Sequence, residues 1–319
     1  MVEFWATWCH ACIAYMPHLS ALAREYNDKC TFLGMDVYEK KTTSIQKIKA
    51  FADSLGPRMD YPAAAEEGNL MESGWLDASG DKNNGIPITY VVNAEGQIAW
   101  IGHPRAIDEV LPKIVNKTWD IKEALAKRSW AKHLKELDDS LSYELYVRRG
   151  DAQKADKNGK QDSALLMIDQ MVRKEPDLKY APLIAYYTFS SLLQTNPQKA
   201  YDYGKVLLVT PTYEEPPYYN IIGAIELYSY KYNLTPEIYR LCAEAYQRAI
   251  DCYSPAIDTP NEYHKMAEWY WRACERSKAI DAEQKAVDGL KRKKDSAAKD
   301  FSPDDLAIFE SRLQQYKNM

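Results

Sequence analysis

The hydrophobic positions of the first 117 residues switch between the periods typical of strands and of helices. Residues 2–6 form the apolar run of a buried strand, and residues 9–27 have the spacing of an amphipathic helix. Residues 56–86 carry turn signals and predict irregular structure. The predicted order is strand, helix, strand, helix, hairpin and helix, over residues 2–6, 9–27, 31–37, 44–55, 87–102 and 106–115.

Beyond residue 118 the pattern is helical. Residues 119–141 predict a long amphipathic helix, and a hydrophilic interruption at 150–162 separates it from the helices that follow. Ser or Thr before proline marks three helix starts: Thr235–Pro236, Thr259–Pro260 and Ser302–Pro303. We therefore assign residues 1–118 to an α/β domain and residues 119–319 to an all-α domain.

Two segments of the second domain end in prolines near the spacing of a tetratricopeptide repeat. Pro176 and Pro211 are 35 positions apart, and that repeat has about 34 residues. Later segments do not keep the period. The prediction is a tetratricopeptide-like array with irregular members, and the alternative is a non-repeating helical bundle.

Composition and charge narrow the class of function. The chain has 319 residues, 46% of them hydrophobic, which is enough for two cores. A net charge of -5, with neither domain strongly basic, argues against nucleic acid or anionic lipid as the main partner. No apolar run approaches the ~20 residues that cross a bilayer, and the first residues do not read as a signal peptide.

The candidate chemistry lies in the motif WCHAC. In a first helical turn, Cys9 and Cys12 are three positions apart, so their β-carbons lie about 5 to 6 Å from each other, near the distance a disulfide requires. Cys9 would stand at the helix N-terminus, where backbone N–H groups favour a thiolate and lower its pKa from ~8.5. We predict that Cys9 is the attacking thiol and Cys12 the resolving thiol.

Two other uses of these cysteines fit less well. A zinc site needs a second pair of ligands, and the sequence has no other CxxC motif or nearby Cys/His cluster. We expect no metal and no cofactor. A peroxide-reducing cysteine calls for Thr or Ser three residues earlier, where this chain has Ala6.

Three segments in this order resemble the thioredoxin superfamily: VEFWATWCHAC, YMPHLSALAREY with Pro17, and GIPITYVVNAEGQIAWIGHP. The spacing of the inserts resembles the TlpA-like branch of extracytoplasmic thiol-disulfide oxidoreductases. The resemblance covers residues 1–117. It implies a thioredoxin fold, with a central mixed sheet flanked by helices, and disulfide exchange with protein or small-thiol substrates.

The resemblance also implies a docking site at Ile86 and Pro87. The matching proline of the family is cis, which turns the preceding backbone towards the cysteines. The backbone of Ile86 would then pair with an extended substrate segment. The alternative is an ordinary trans proline that opens a strand.

Three further residues receive a role from their place beside the motif. Glu3 falls where the family often has a buried acid, which could take the proton of Cys12; the alternative is an exposed glutamate at a strand end. His10 would stabilise the Cys9 thiolate, or else be a solvent-facing helix residue without effect. Trp8 is expected to pack beside the site, whereas His18 and His103 are expected to be surface or capping residues.

Tyrosine is concentrated in the second domain, where 16 of the 24 tyrosines lie between Tyr180 and Tyr270. Such residues could line a concave surface for a peptide or glycan, but we expect most of them to fill contacts between helices. Cys242, Cys252 and Cys274 lie on apolar helix faces and are expected to be buried thiols. A disulfide between Cys252 and Cys274 stays open as an alternative.

The chain begins inside a strand that is central in the resembling family, whose members carry more residues before it. We expect that the native start is missing and that it would hold a signal peptide or a lipoprotein anchor. The protein would then work in the periplasm or cell envelope. The alternative is a cytoplasmic protein with a minimal fold.

Two functions follow. In the first, the protein is a thiol-disulfide oxidoreductase that exchanges disulfides with protein substrates and a thiol redox partner, while the helical domain binds the substrate or a protein partner. In the second, it is a binding or scaffold protein of the cell envelope whose thioredoxin unit is catalytically idle. The intact WCHAC motif favours the first function; the redox direction is left open.

Overall fold

The computed structural model describes residues 1–66, 68–80, 85–155, 162–209, 218–254, 256–296, 298 and 300–318. The chain divides into two compact units, Met1–Arg128 and Ser129–Met319. We call them the N-terminal unit and the helical unit. The predicted domain boundary, between residues 118 and 119, stays a prediction.

The N-terminal unit has a mixed five-stranded sheet flanked by helices, which confirms the predicted fold class. Strand β1 is central, with β2 and β3 parallel to it on one side and the antiparallel hairpin β4–β5 on the other, so the strand order is β3-β2-β1-β4-β5. The elements are β1 (Val2–Trp5), α1 (His10–Glu25), β2 (Leu33–Asp36), α2 (Ile45–Leu55), β3 (Ala63–Ala65), β4 (Ile88–Val92), β5 (Ile98–Gly102) and α3 (Ile107–Val115).

Alternation along β1 places its side chains in cores on both faces of the sheet. Trp5 packs with Met16 and Leu19 of α1 in one core, which also contains Cys9 and Cys12. Phe4 packs on the other face, in a core with Met35, Val37, Leu76, Ile88 and Tyr90. Glu3 precedes Phe4 and follows Val2, so it shares the face of Trp5 and of the cysteines.

The prediction of irregular structure over residues 56–86 is wrong at two places. Ala63–Ala65 form the edge strand β3, paired with β2, and Glu72–Asp77 form a π-helical turn. Three alanines carry no hydrophobic alternation and have low strand propensity, so this strand forms only because β2 offers an open edge.

The helical unit begins within the long helix α4 (Ile121–Ala155). That helix continues through residues 150–155, where an interruption was predicted; residues 156–161 lie outside the described part. The remaining helices are α5 (Asp162–Lys174), α6 (Pro182–Thr195), α7 (Pro197–Val209), α8 (Tyr218–Ser229), α9 (Pro236–Tyr253), α10 (Thr259–Arg272), α11 (Arg276–Asp295) and α12 (Pro303–Asn318).

The three predicted helix starts are confirmed, since α9, α10 and α12 begin at or next to Pro236, Pro260 and Pro303. The largest core of this unit joins helices α6 to α11 and includes Tyr316 of α12. The tetratricopeptide-like period stays a prediction, because Pro211, one of the two prolines that suggested it, lies outside the described residues. Of the helices the structure describes, none is long and apolar enough to span a membrane.

Most of the described tyrosines between residues 180 and 270 fill helix contacts, as predicted. Tyr187, Tyr228, Tyr239 and Tyr246 are buried, and others pack at the edge of the same cores. The exposed ones are Tyr219, Tyr230 and Tyr232.

The cysteines of the helical unit depart from the prediction of buried thiols at two positions, since Cys252 is only half-buried and Cys274 is exposed. Cys242 is buried, and burial raises the pKa of its thiol. Cys274 is exposed, although a buried thiol was predicted. It follows the end of α10 in the left-handed region, with φ of 60°, and so leaves the apolar face of that helix. Cys252 and Cys274 hold thiols and do not form a disulfide.

Candidate active site

Cys9 and Cys12 form a disulfide at the start of α1, with their Cα atoms 5.3 Å apart. Cys9 is the N-cap of the helix, and its Sγ accepts a hydrogen bond from the N–H of Cys12 at 3.1 Å. Because the first N–H groups of a helix have no intrahelical acceptor, they stabilise negative charge at this position. The reduced pair would therefore hold its thiolate on Cys9.

The two cysteines differ in their access to solvent. Cys12 is fully buried, whereas Cys9 keeps 5% of its surface exposed. A substrate sulfur can therefore reach Cys9 and not Cys12. Pro17 lies inside α1, eight residues after the N-cap Cys9.

A second segment meets the cysteines at the start of β4. The Ile86–Pro87 peptide bond is cis, as the resemblance implied. The carbonyl oxygen of Ile86 lies 3.8 Å from Sγ of Cys9. The structure thus brings Ile86 and Pro87 to the reactive pair; their docking role stays a prediction.

A third segment, residues 37–39, holds the chain just before Cys9. The indole N–H of Trp8 donates to the carbonyl oxygen of Tyr38 at 3.1 Å, and the N–H of Thr7 donates to Oε1 of Glu39 at 2.7 Å. Trp8 is nevertheless 48% exposed, so its ring offers a surface beside the disulfide. Sequence reasoning missed Tyr38 and Glu39. The signal that could have found them is topological, because the carboxyl ends of the parallel strands β1 and β2 lie at one edge of the sheet.

Asp36, at the end of β2, is a buried acid that the sequence analysis also missed. It pairs in register with Trp5. Burial, together with the carboxylates of Glu39 and Glu66, raises the pKa of Asp36 to about 7. The sheet edge below the active-site segment therefore carries a group that titrates near neutral pH.

Glu3 is fully buried, so the alternative of an exposed strand-end glutamate is wrong. The hydroxyl of Tyr61 donates to its Oε2 at 2.5 Å. Burial, opposed in part by the hydrogen bond from Tyr61, raises the pKa of Glu3 to about 8. A carboxyl group of this kind can exchange a proton near neutral pH.

The histidines take three different positions. His10 is the first residue of α1 and is exposed. His18 pairs with Asp108 at 2.9 Å. Nδ1 of His103 accepts from the N–H of Arg105 and so caps the turn Pro104–Ala106, as expected of a capping residue; burial lowers the pKa of His103 to about 4. Within the described residues, no group of three or more His, Cys, Asp or Glu side chains is placed to hold a metal ion.

Comparison with known proteins agrees with this geometry. Residues 1–53 match the thioredoxin family model. The chain is 27% identical over 135 residues to protein FixW of Rhizobium leguminosarum, covering 40% of this chain and 60% of FixW. It is 28% identical over 98 residues to thioredoxin-like protein YneN of Bacillus subtilis, covering 31% of this chain and 52% of YneN. No solved structure matches the chain significantly.

A thioredoxin of Staphylococcus saprophyticus is 43% identical over 44 residues, which cover 14% of this chain and 42% of that protein. The chain thus spans roughly half the length of these curated relatives. Residues 1–53 of the N-terminal unit thus match the thioredoxin family model and hold a disulfide pair in CxxC spacing.

Proposed function

We propose that the protein exchanges disulfides with protein substrates, with Cys9 as the attacking thiol and Cys12 as the resolving thiol. One observation carries the proposal. The Cys9–Cys12 disulfide lies at a helix N-terminus, with Cys9 as the more accessible sulfur and the Ile86 carbonyl 3.8 Å from it.

In the reducing direction, the thiolate of Cys9 attacks one sulfur of a substrate disulfide. A mixed disulfide forms and one substrate thiolate leaves. Cys12 then loses its proton to Glu3 and attacks the Cys9 sulfur, so that the second substrate thiolate leaves and the Cys9–Cys12 disulfide re-forms. Two electrons pass from the pair to the substrate; the oxidising direction is the reverse.

Ile86 and Pro87 are proposed as the substrate dock. An extended substrate segment would pair with the backbone of Ile86 as an added strand, which would hold its disulfide over Cys9. Trp8, half-exposed beside the disulfide, would cover the apolar side of that segment. The exposed His10 would favour the Cys9 thiolate electrostatically when protonated.

The helical unit is proposed to bind the substrate or a protein partner, and the protein is proposed to be TlpA-like and to act in the cell envelope. The resemblance of residues 1–117 supports the TlpA-like class and the cell-envelope location. Binding by the helical unit is supported by Tyr230, which is 90% exposed, and by Tyr232, because tyrosine offers contact area and a hydroxyl together. The double variant Tyr230→Ser, Tyr232→Ser should exchange more slowly than the unaltered chain with a protein disulfide and equally fast with glutathione disulfide. If the double variant exchanges with the protein disulfide as fast as the unaltered chain does, this role of the helical unit is overturned.

Trapping of the mixed disulfide tests the proposed chemistry. The reduced full chain carrying Cys12→Ser is mixed with oxidised insulin, and a covalent complex that dithiothreitol releases is expected. Cys9→Ser should form none, and Cys274→Ser, which removes another exposed thiol, should behave as the unaltered chain. If Cys12→Ser traps no complex, the oxidoreductase proposal falls and the helical unit becomes the functional part of an envelope binding protein.

A further inference from the structure

A tyrosine outside the cysteine motif reaches the buried acid of the site from the far side of a strand. Glu3 of β1 pairs in register with Gly34 of β2, and Gly34 pairs with Ala63 of β3. Tyr61 lies two residues before β3, and its hydroxyl donates to Oε2 of Glu3 at 2.5 Å. The ring of Tyr61 therefore crosses β2 on its way to β1.

Gly34 leaves the space for that crossing. A Cβ at position 34 would lie 3.3 Å from Cε2 of Tyr61, 3.2 Å from Nε1 of Trp5 and 2.5 Å from Cε of Met59. A Cβ at this position would displace the end of the Met59 side chain and press on the ring of the tyrosine that contacts Glu3, so the strand is open where the tyrosine passes.

The two carboxylate oxygens of Glu3 have different surroundings. Oε2 accepts the Tyr61 hydroxyl, while Oε1 is buried without a hydrogen-bond partner among the described residues. The neighbours in register are Gly34 and Thr89, neither of which carries charge. On α2, the charged Lys49 and Asp53 pair with each other at 2.7 Å.

The interaction with Tyr61 acts against burial. Burial favours the neutral form of Glu3, and the hydrogen bond from Tyr61 is the interaction that lowers its pKa. Tyr61 is itself 8% exposed and lines a cavity of about 500 Å³ together with Trp5, Ile48 and Met59. Phenylalanine in its place keeps the ring in this wall and loses only the hydroxyl.

We propose that Tyr61 is a positioning residue of the disulfide-exchange site: its hydrogen bond to Oε2 favours the ionised form of the Glu3 carboxyl group against burial and leaves Oε1 to take the proton of the Cys12 thiol. The proton moves from Sγ of Cys12 to Oε1 of Glu3, and Tyr61 keeps its own proton throughout. The inference rests on the proposed function, because it needs Cys12 to act as the resolving thiol.

The first test measures the ionisation of Glu3 directly, by carbon-13 NMR titration of its carboxyl group in the reduced full chain. Tyr61→Phe should raise the pKa of Glu3, and Gly34→Ala, which displaces the ring but keeps the hydroxyl, should shift it in the same direction. Tyr246→Phe is the matched control, because it removes a partly buried Tyr–Glu hydrogen bond of 2.6 Å in the helical unit. An unchanged Glu3 titration in Tyr61→Phe overturns the inference, whether or not the protein exchanges disulfides.

The second test follows the single-turnover release of a mixed disulfide at Cys9 as a function of pH. In Tyr61→Phe the release at pH 7 should slow by about tenfold for each unit by which the Glu3 pKa rises, while the attack of Cys9 on substrate keeps its rate. In a Glu3→Gln background, Tyr61→Phe should have no further effect. Equal release profiles for the unaltered chain and Tyr61→Phe overturn the inference, whereas a chain that forms no mixed disulfide overturns the proposed function.

Discussion

Sγ of Cys9 and the carbonyl oxygen of Ile86 lie 3.8 Å apart, although 77 positions separate the two residues in the chain. The contact joins the N-terminus of α1 to the start of β4, and the carboxyl end of β2 completes the site through Tyr38 and Glu39. Three loops that follow or precede strands of one sheet thus surround the more accessible cysteine. The rigid sheet fixes the position of a sulfur that stands on a helix end.

The position of Cys9 predicts its reactivity. In the reduced chain, iodoacetamide should alkylate Cys9 faster than the exposed Cys274 at pH 6, because Cys9 is the N-cap of α1 and its Sγ accepts the N–H of Cys12. Mass spectrometry of the digested protein measures both rates in one sample. Slower alkylation of Cys9 than of Cys274 would show that the helix end does not stabilise its thiolate.

The negative charge of Glu39 should raise the pKa of Asp36. Glu39→Gln keeps an acceptor for the N–H of Thr7 but removes a negative charge that raises the pKa of Asp36, so that pKa should fall from about 7. Carboxyl NMR titration checks it. Glu95→Gln, at an exposed turn, is the control and should leave Asp36 unchanged. If the pKa of Asp36 is the same in Glu39→Gln as in the unaltered chain, the charge of Glu39 does not act on Asp36.

The buried acid Glu3 should make stability depend on pH. Its pKa is about 8 in the folded chain against an ordinary 4.5. The folded state therefore binds more protons than the unfolded state between these values, so the stability contributed by the neutral form is complete below pH 4.5 and is lost as pH rises through 8. Glu3→Gln removes this dependence and still accepts the Tyr61 hydroxyl.

Urea unfolding at pH 5 and at pH 8.5 measures this difference. Relative to Glu3→Gln, the unaltered chain should lose on the order of a few kcal/mol of unfolding free energy between the two pH values. Glu95→Gln should follow the unaltered chain. If the difference in unfolding free energy between the unaltered chain and Glu3→Gln does not change with pH, Glu3 is ionised in the folded state at both pH values.

Alanine substitutions at two glycines inside helices of the helical unit should change stability in opposite directions. A Cβ at Gly204 of α7 would lie 2.4 Å from Cδ2 of Leu241 and 3.0 Å from Cε2 of Phe189, so Gly204→Ala should destabilise by about 1–3 kcal/mol. Gly223 of α8 is exposed and meets nothing within 4 Å, so Gly223→Ala should stabilise by about 0.5–1 kcal/mol. Thermal unfolding of both variants checks the pair; equal shifts would contradict the packing of α7 on α9.

The cysteine motif and its partner proline could be predicted because each is a local sequence pattern with a family resemblance. The element order of the N-terminal unit could be predicted from periodicity, because β1, β2, β4 and β5 carry apolar side chains on at least one face. The strand Ala63–Ala65 could not be predicted, because its pairing with β2 and not its own composition makes it a strand.

The residues around the cysteine pair that lie outside the motif could not be predicted from the sequence either, because none of them belongs to a local pattern. Tyr61 and Gly34 act together across two strands, and Glu39 contacts Thr7 over 32 positions. Periodicity reports which face of an element is apolar and does not report which polar group a distant side chain will reach. Cys274 shows the same limit, because α10 ends at Arg272, two residues before Cys274, and the predicted core thiol therefore turns outward.

Disulfide exchange by Cys9 and Cys12 is best measured by equilibrating the full chain with defined ratios of reduced and oxidised glutathione, with the state of the pair read by thiol labelling and mass spectrometry. We expect a reversible two-electron couple; a midpoint near ~-270 mV would assign reduction of substrates, and one between ~-180 and -120 mV their oxidation or isomerisation. A pair that stays in one state across the whole range of ratios would contradict the claim that Cys9 and Cys12 exchange disulfides.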